Sequence, residues 1–320
     1  VCVWQHPTPE NPAPFIKRKI STLFAFRGIG REEVAQVAAG DLFILAGIDE
    51  VEVGDTIASI ENAPALPRLE VDEPVLRMSF GVNTSPFAGR DGTFLTSRHL
   101  SERLFKEVLG NVSIRVNTTD SPDVIEVAGR GELQLAVLIE NMRREGYELQ
   151  VSRPEVITKE IDGKKHEPLE AGTIDVPDEY VGAVTQALAP RKGRVVNLEQ
   201  GDSGRTIVSF QAPSRGLIGF RGQFLTMTSG SGIMTSIFDH YGPVKEGEVA
   251  KRQNGVLVSM VKGKTLAYGL HPLQERGRLF YGAGVEVYEG QVVGIHSRNN
   301  DLVVNPTKAK QLTNVRASGT

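Results

Sequence analysis

Along residues 76–82 the apolar positions Leu76, Met78, Phe80 and Val82 alternate with Arg77, Ser79 and Gly81. That two-residue period predicts a strand with one buried face. The period then changes. In "SRHLSERLFKEVLGN" the residues Leu100, Leu104, Phe105 and Val108 recur at helical spacing, with Ser97 placed to cap the helix and Gly110-Asn111 to stop it. Two short strands, "VSIRVN" and "DVIEVAG", follow. "GELQLAVLIENMRREG" carries a second helix, with Leu135, Leu138, Ile139 and Met142 on one face and Gly146 past its end, before the strand "YELQVS". The order β-α-β-β-α-β predicts a ferredoxin-like split βαβ domain over 70–157.

The same order returns over 166–244. "AGTIDVP" reads as a strand, "EYVGAVTQALAPRKG" as a helix ended by Pro190 and Gly193, and "VVNLEQ" with "TIVSFQAP" as two strands around the turn "GDSG". A helix is expected in "APSRGLIGFRGQFLTMTSGSGIM", and "GIMTSIFDHY" supplies the last strand. An Arg-Gly pair between strand and helix, in "GRGEL" and "SRGLI", aligns the two copies. Upstream, residues 1–65 contain short strands broken by turns, a partial β-barrel. Pro64, Pro67 and Pro74 mark a linker. Downstream, 245–320 alternates short apolar strands with Gly-, Asn- and Lys-rich turns, a mostly β domain. The expected class is therefore α+β and multidomain.

Residues 212–234 contain Gly216, Gly219 and Gly222 at a spacing of three, beside Arg215 and Arg221. Glycine costs a helix about 1 kcal/mol relative to alanine, so this density needs a reason. Two remain open: close backbone approach to a partner whose phosphates meet Arg215 and Arg221, or accommodation of helix packing on the sheet. A nucleotide cradle fits less well than either, because no G-x-G-x-x-G or G-x-x-x-x-G-K-[ST] is present.

Composition narrows the setting. The single cysteine, Cys2, cannot form an internal disulfide, no apolar run reaches membrane-spanning length, and no export signal opens the chain. A cytoplasmic protein without a membrane partner is expected. Net charge is only −3, but it is unevenly distributed. From residue 245 onward eleven Lys and Arg face six Asp and Glu, whereas the preceding residues carry 25 and 33. Such a basic end marks either a polyanion partner or a solvated face.

Lys251, Arg252, Lys262, Lys264, Arg276, Arg278, Arg298, Lys308 and Lys310 fall where turns are expected and are the candidates for phosphate contact. Gln253, Asn299 and Asn300 could hydrogen-bond sugar hydroxyls or unpaired bases, and His296 could stack on one. Other chemistries lack their residues. Gly263-Lys264-Thr265 resembles the end of a P-loop, but the required earlier glycine is Val258 and an alternating strand surrounds the tripeptide. The six histidines show no metal spacing, and Asp239-His240, adjacent on a strand, are expected on opposite faces. No catalytic or metal-ligating set is identified.

"AGDLFILAGIDEVEVGDTI", "ALPRLEVDEP", "VNTSPFAGRDGTFLTSRHLSERL", "VAGRGELQLAVLIENMRREGYELQVSRPEVI", "APSRGLIGFRGQFLTMTSGSG", "YEGQVVGIHSRNNDLVVN" and "KQLTNVRASGT" together closely resemble the BipA/TypA family of translational GTPases, over residues 28–320. The last two motifs are the most specific. The first split βαβ unit is similar to the third domain of elongation factor G and LepA, the second to their fifth, and 1–65 to the second. The stretch from Gly247 onward looks like the family's own C-terminal domain.

The resemblance implies a monomeric, ribosome-bound GTPase associated with large-subunit maturation and with growth under stress or cold. Its non-catalytic domains would dock near the ribosomal A site, the C-terminal domain touching the acceptor end of a tRNA and neighbouring rRNA. The family's GTPase domain is absent from the sequence, so GTP and Mg²⁺ would belong to another part of the parent protein. The opening "VCVWQHPTPENPAPFIKRK" matches the barrel pattern poorly, and the family normally continues past "RASGT". A C-terminal fragment is the expectation, acting either as an RNA-docking module or as a transmitter of nucleotide state with little RNA affinity.

Overall fold

The computed structural model describes residues 1–4, 15–38, 40–48, 51, 53–59, 66–67, 71, 73–201, 203–247, 249 and 254–310. They fall into two units, Val1–Gly172 with Thr235–Val244, and Thr173–Met234 with Lys245–Thr320. The first unit begins with short strands: β1 (Cys2–Trp4), β2 (Phe15–Lys17), β3 (Thr22–Arg27), β4 (Gly30–Glu33), β5 (Phe43–Ala46) and β6 (Thr56–Ala58). β1 pairs with β2 and β6, and β3 with β4 and β5, all antiparallel. Among the described residues neither three-stranded sheet closes into a barrel. Much of the Pro64–Pro74 linker lies outside the described residues.

β7 (Leu76–Val82), α1 (Ser97–Gly110), β8 (Arg115–Thr118), β9 (Val124–Gly129), α2 (Glu132–Arg144) and β10 (Leu149–Val151) follow in the expected order, with β11 (Glu155–Val156) added. The sheet order is β10-β7-β9-β8, with β11 also on β7. Register pairs Met78 with Val127 and Phe80 with Ile125, and all four are buried. α1 packs on β7 and β8, α2 on β9, so Leu100, Leu104, Leu135, Leu138 and Met142 complete an apolar layer. Full burial of each such side chain is worth about 1.5–3 kcal/mol. Thr96, not Ser97, caps α1: its Oγ1 accepts the His99 N–H at 3.3 Å.

The loop between β7 and α1 is organised by one acid. Glu148 accepts the N–H groups of Gly89, Asp91 and Gly92 at 2.7, 2.8 and 2.8 Å, and the Asn83 amide at 3.0 Å. Phe94 stacks on Tyr147 at 4.6 Å beside it. Arg103 of α1 grips Glu145 through two bonds of 2.6 and 2.9 Å and Glu107 through one of 2.8 Å, tying the helix to the end of α2.

β12 (Lys159–Ile161) pairs with the start of β13 (Lys164–Pro177), along which the chain passes from the first unit to the second. α3 (Val181–Leu188), β14 (Arg194–Gln200) and β15 (Arg205–Pro213) follow. Then come two short helices, α4 (Ser214–Leu217) and α5 (Phe220–Met227), and β16 (Ile233–Pro243). The strand order is β12-β13-β15-β14, with β16 also on β13. Within the second unit Ile174, Val176, Val184, Leu188, Phe210, Phe220 and Phe224 form one buried cluster. The single glycine-rich helix expected here is broken, because Gly219 adopts φ +69° between α4 and α5.

The remainder of the second unit holds β17 (Val256–Ser259), β18 (Gly263–Lys264), α6 (Ala267–Gln274), β19 (Gly277–Leu279), β20 (Glu286–Val287), β21 (Val292–His296) and β22 (Leu302–Val304). Four strands run in the order β19-β21-β17-β22, and β18 pairs with β20. Leu257, Val287, Val293 and Val304 form their core with Leu273 of α6. α6 was not expected. Its stripe is short and Pro272 reads as a breaker, yet the helix has only eight residues and the carbonyl that Pro272 leaves unpaired belongs to exposed Tyr268.

Candidate nucleic-acid interface

Strand order decides where the cationic side chains fall. β17 runs parallel to β22 and antiparallel to β21, which pairs in turn with β19. At the start of β17, the Gly255 N–H donates to the Arg298 carbonyl at 2.6 Å. The Arg276 carbonyl accepts both the N–H and the Oγ of Ser297 at 2.9 Å. A Cβ on Gly255 would run into the Asn300 carbonyl, and one on Gly277 into that of Ile295, so both close backbone approaches need glycine. Arg276, Arg298, Asn299 and Asn300 therefore gather at one end of the sheet, all exposed.

The opposite end holds the lysines. The Met260 N–H donates to the Val304 carbonyl at 2.9 Å, and a Cβ on Gly263 would lie 3.3 Å from Thr307. Lys262, Lys264 and Lys308 thus flank one rim, with Lys310 two residues further on, and all four are exposed. Arg278 lies between the two ends, on β19, opposite Ile295 of β21. Lys251, Arg252 and Gln253 lie outside the described residues, as does all of the "KQLTNVRASGT" motif after Lys310.

Two expected contacts are occupied by the protein itself. His296 is 5% exposed and its Nδ1 lies 2.6 Å from the Asn300 carbonyl, so it fastens the 296–300 turn instead of presenting a ring to a base. Arg215 donates to the Gly247 carbonyl at 3.0 Å and to the Lys245 carbonyl, while Lys245 Nζ donates to the Lys192 carbonyl at 2.9 Å. Arg215 is a clasp on the segment that enters the C-terminal domain. Arg221, by contrast, is exposed on α5.

The three glycines separate into three uses. A Cβ on Gly216 would strike the Arg191 carbonyl, so this glycine serves packing within the protein. Gly219 supplies the left-handed turn. Gly222 has nothing within 4 Å of its missing Cβ and lies open beside Arg221. Sequence reasoning missed Arg191, which holds the kink: it donates to the Gly216 and Ile218 carbonyls at 2.7 and 3.2 Å and to Gln223 at 2.9 Å, with its guanidinium 5.0 Å from the Phe220 ring centre. No local motif marks it, because its partners lie 25 to 32 residues away.

The Gly263-Lys264-Thr265 tripeptide does not fit a nucleotide. Thr265 is buried, donates to the Gly282 carbonyl at 2.7 Å and accepts the Val285 N–H at 3.0 Å, which leaves its hydroxyl committed to the 282–285 loop. Asp239 and His240, expected on opposite faces, meet at 2.9 Å as a half-exposed pair, their side chains reaching towards each other beside the strand.

A family model for the TypA/BipA C-terminal domain matches residues 254–320, and one for the elongation factor G C-terminus matches residues 164–252. The large ribosomal subunit assembly factor BipA of Escherichia coli K12 is 53% identical over 302 residues, 94% of this chain and 50% of that protein. The chain belongs to the TypA/BipA family. The Haemophilus influenzae relative of the same name is 54% identical over 301 residues and the Bacillus subtilis one 49% over 300, each covering 94% of this chain. The chain spans about half the length of these curated relatives. A crystal structure of a Thermus thermophilus protein superposes with a TM-score of 0.43 at 16% identity, over 70% of this chain and 49% of that one. Among the described residues no helix is long and apolar enough to cross a membrane.

Proposed function

We propose that this chain is the ribosome-docking portion of a TypA/BipA-type assembly factor, and that its C-terminal domain binds ribosomal RNA and the acceptor end of an A-site tRNA. The observation that carries the RNA reading is the exposure of all seven Lys and Arg of residues 254–310, gathered mainly at the two ends of one small sheet. Only four acids share that span. Each phosphate neutralised would release counterions, so binding should weaken steeply with salt. Three relatives named as large-subunit assembly factors support the ribosome as partner.

In this reading GTP and Mg²⁺ are held by a part of the parent protein outside this chain, and the factor works in the cytoplasm on large-subunit maturation under stress or cold. Residues 1–65 correspond to the barrel domain of translational GTPases, and the two split βαβ units to the third and fifth domains. Arg221 and open Gly222 form a further RNA-facing patch. A second reading has its own support. The Arg215–Lys245 clasp suits a part that transmits nucleotide state, with affinity residing elsewhere in the parent protein.

Co-sedimentation with intact ribosomes across a salt series separates the two. Under the docking reading, binding falls steeply with salt and Arg276→Glu with Arg278→Glu weakens it and flattens the slope. Weak binding that ignores salt, unchanged in the double variant, would refute docking in favour of the transmitter.

A further inference from the structure

α6 and the segment that follows it border an open cleft of about 650 Å³, within the size range of small-molecule sites. One wall is α6, with His271 and Gln274; the other is β19 and its continuation, with Arg278, Phe280 and Tyr281. Among the described residues no carboxylate lines it, although acids lie elsewhere in the domain. Phe280, 53% exposed, is the aromatic side chain of the cleft most open to solvent.

Hydrogen bonds and close packing hold both walls. The Phe280 N–H donates to the Val293 carbonyl at 2.9 Å, and buried Thr265 holds both the Gly282 carbonyl and the Val285 N–H. α6 is seated by Gly269, whose missing Cβ leaves room for the Pro306 carbonyl and Lys308 N–H, each 2.8 Å from where it would stand. Arg278, on β19, and Phe280, at the bend that follows it, both line the cleft. Tyr281 meets Phe280 edge-on, with ring centres 6.5 Å apart.

We propose that this cleft takes one unpaired nucleotide of single-stranded RNA, with its base stacked on Phe280, its edge read by the Gln274 amide and its phosphate on Arg278. The combination argues for that ligand over a purely electrostatic surface. An exposed aromatic ring offers stacking that every base can use, the amide offers a donor and an acceptor together, and among the described residues the only formal charge in the lining is positive. The inference rests on the RNA-docking reading and adds to it a site that distinguishes single strands from duplexes.

The test measures binding of the full chain to a fluorescent single-stranded RNA nonamer and to a blunt duplex of equal length, at several salt concentrations. Phe280→Ala should weaken single-strand binding about tenfold. Duplex binding and the salt slope should be unchanged, and Phe280→Trp should restore affinity. A 2-aminopurine in the nonamer should be quenched by wild type and not by Phe280→Ala. Melting temperatures of the variants guard against a folding defect, and Gln274→Ala gives a second, independent variant in the same cleft. If Phe280→Ala binds the nonamer as wild type does, the cleft proposal falls while docking stands; if neither RNA binds, both fall. Binding of a glutamate–tyrosine copolymer that Phe280→Ala abolishes, with RNA indifferent to the change, would make the cleft a peptide site and overturn the proposal.

Discussion

The Glu148 carboxylate accepts three backbone N–H groups from residues 89–92 and the Asn83 amide, and those donors, Gly92 first, hold its pKa down at about 2 from an ordinary 4.5. All four bonds favour the charged form. A depressed folded-state pKa adds stability that is present above the unfolded value, near 4.5, and disappears as pH falls towards 2. Wild type should therefore lose melting temperature across that window, beyond whatever its other acids contribute. Glu148→Gln should melt lower at pH 7 and show a shallower decline; parallel curves for the two proteins would remove Glu148 from the account. Arg191 is a second residue on which local geometry depends. Arg191→Ala leaves the Gly216 and Ile218 carbonyls and the Gln223 amide without their donor, and should cost about 2–3 kcal/mol in chemical denaturation.

Elements differ in what their glycines allow. Gly216→Ala forces a Cβ onto the Arg191 carbonyl and should destabilise by about 1–3 kcal/mol, because backbone on both sides must move. Gly222→Ala, in the open on α5, should instead stabilise by about 0.5–1 kcal/mol by raising helix propensity. Urea titrations of both variants check the opposite signs, and ribosome binding by Gly222→Ala reports whether a partner's surface comes close there. The sequence showed the density of glycine without these separate uses, since Gly216 is defined by a residue 25 positions earlier. The first split βαβ unit was legible because burial of one face imposes period two on residues 76–82 and a helical stripe on 97–110. α6 was not, because Pro272 obscured a helix of two turns. Thr96 displaces Ser97 as cap by a single residue, because it is the Thr96 hydroxyl, on extended backbone, that accepts the His99 N–H. The basic set was legible as a set. Its division between two ends was not, because that follows from β22 pairing parallel to β17 across all the intervening strands.

At the scale of the whole molecule that division makes a quantitative prediction. Arg276 with Arg298 marks one end of the C-terminal sheet, and Lys262 with Lys308 the other. If both ends neutralise phosphates on the same ribosomal RNA surface, charge reversal at either end removes its own contacts. Each lost contact should then lower the slope of log affinity against log salt by about 0.7–0.9. Ends separated by the length of a strand are far enough apart that their effects should add in the quadruple variant. Binding that one pair alone abolishes, with the other pair silent, would instead mean that a single end faces RNA and that the cations of the other are solvated. Ribosome co-sedimentation of wild type, the two double variants and the quadruple variant distinguishes these outcomes. The slope decides it: a folding defect lowers affinity at every salt concentration alike, whereas lost phosphate contacts matter most at low salt.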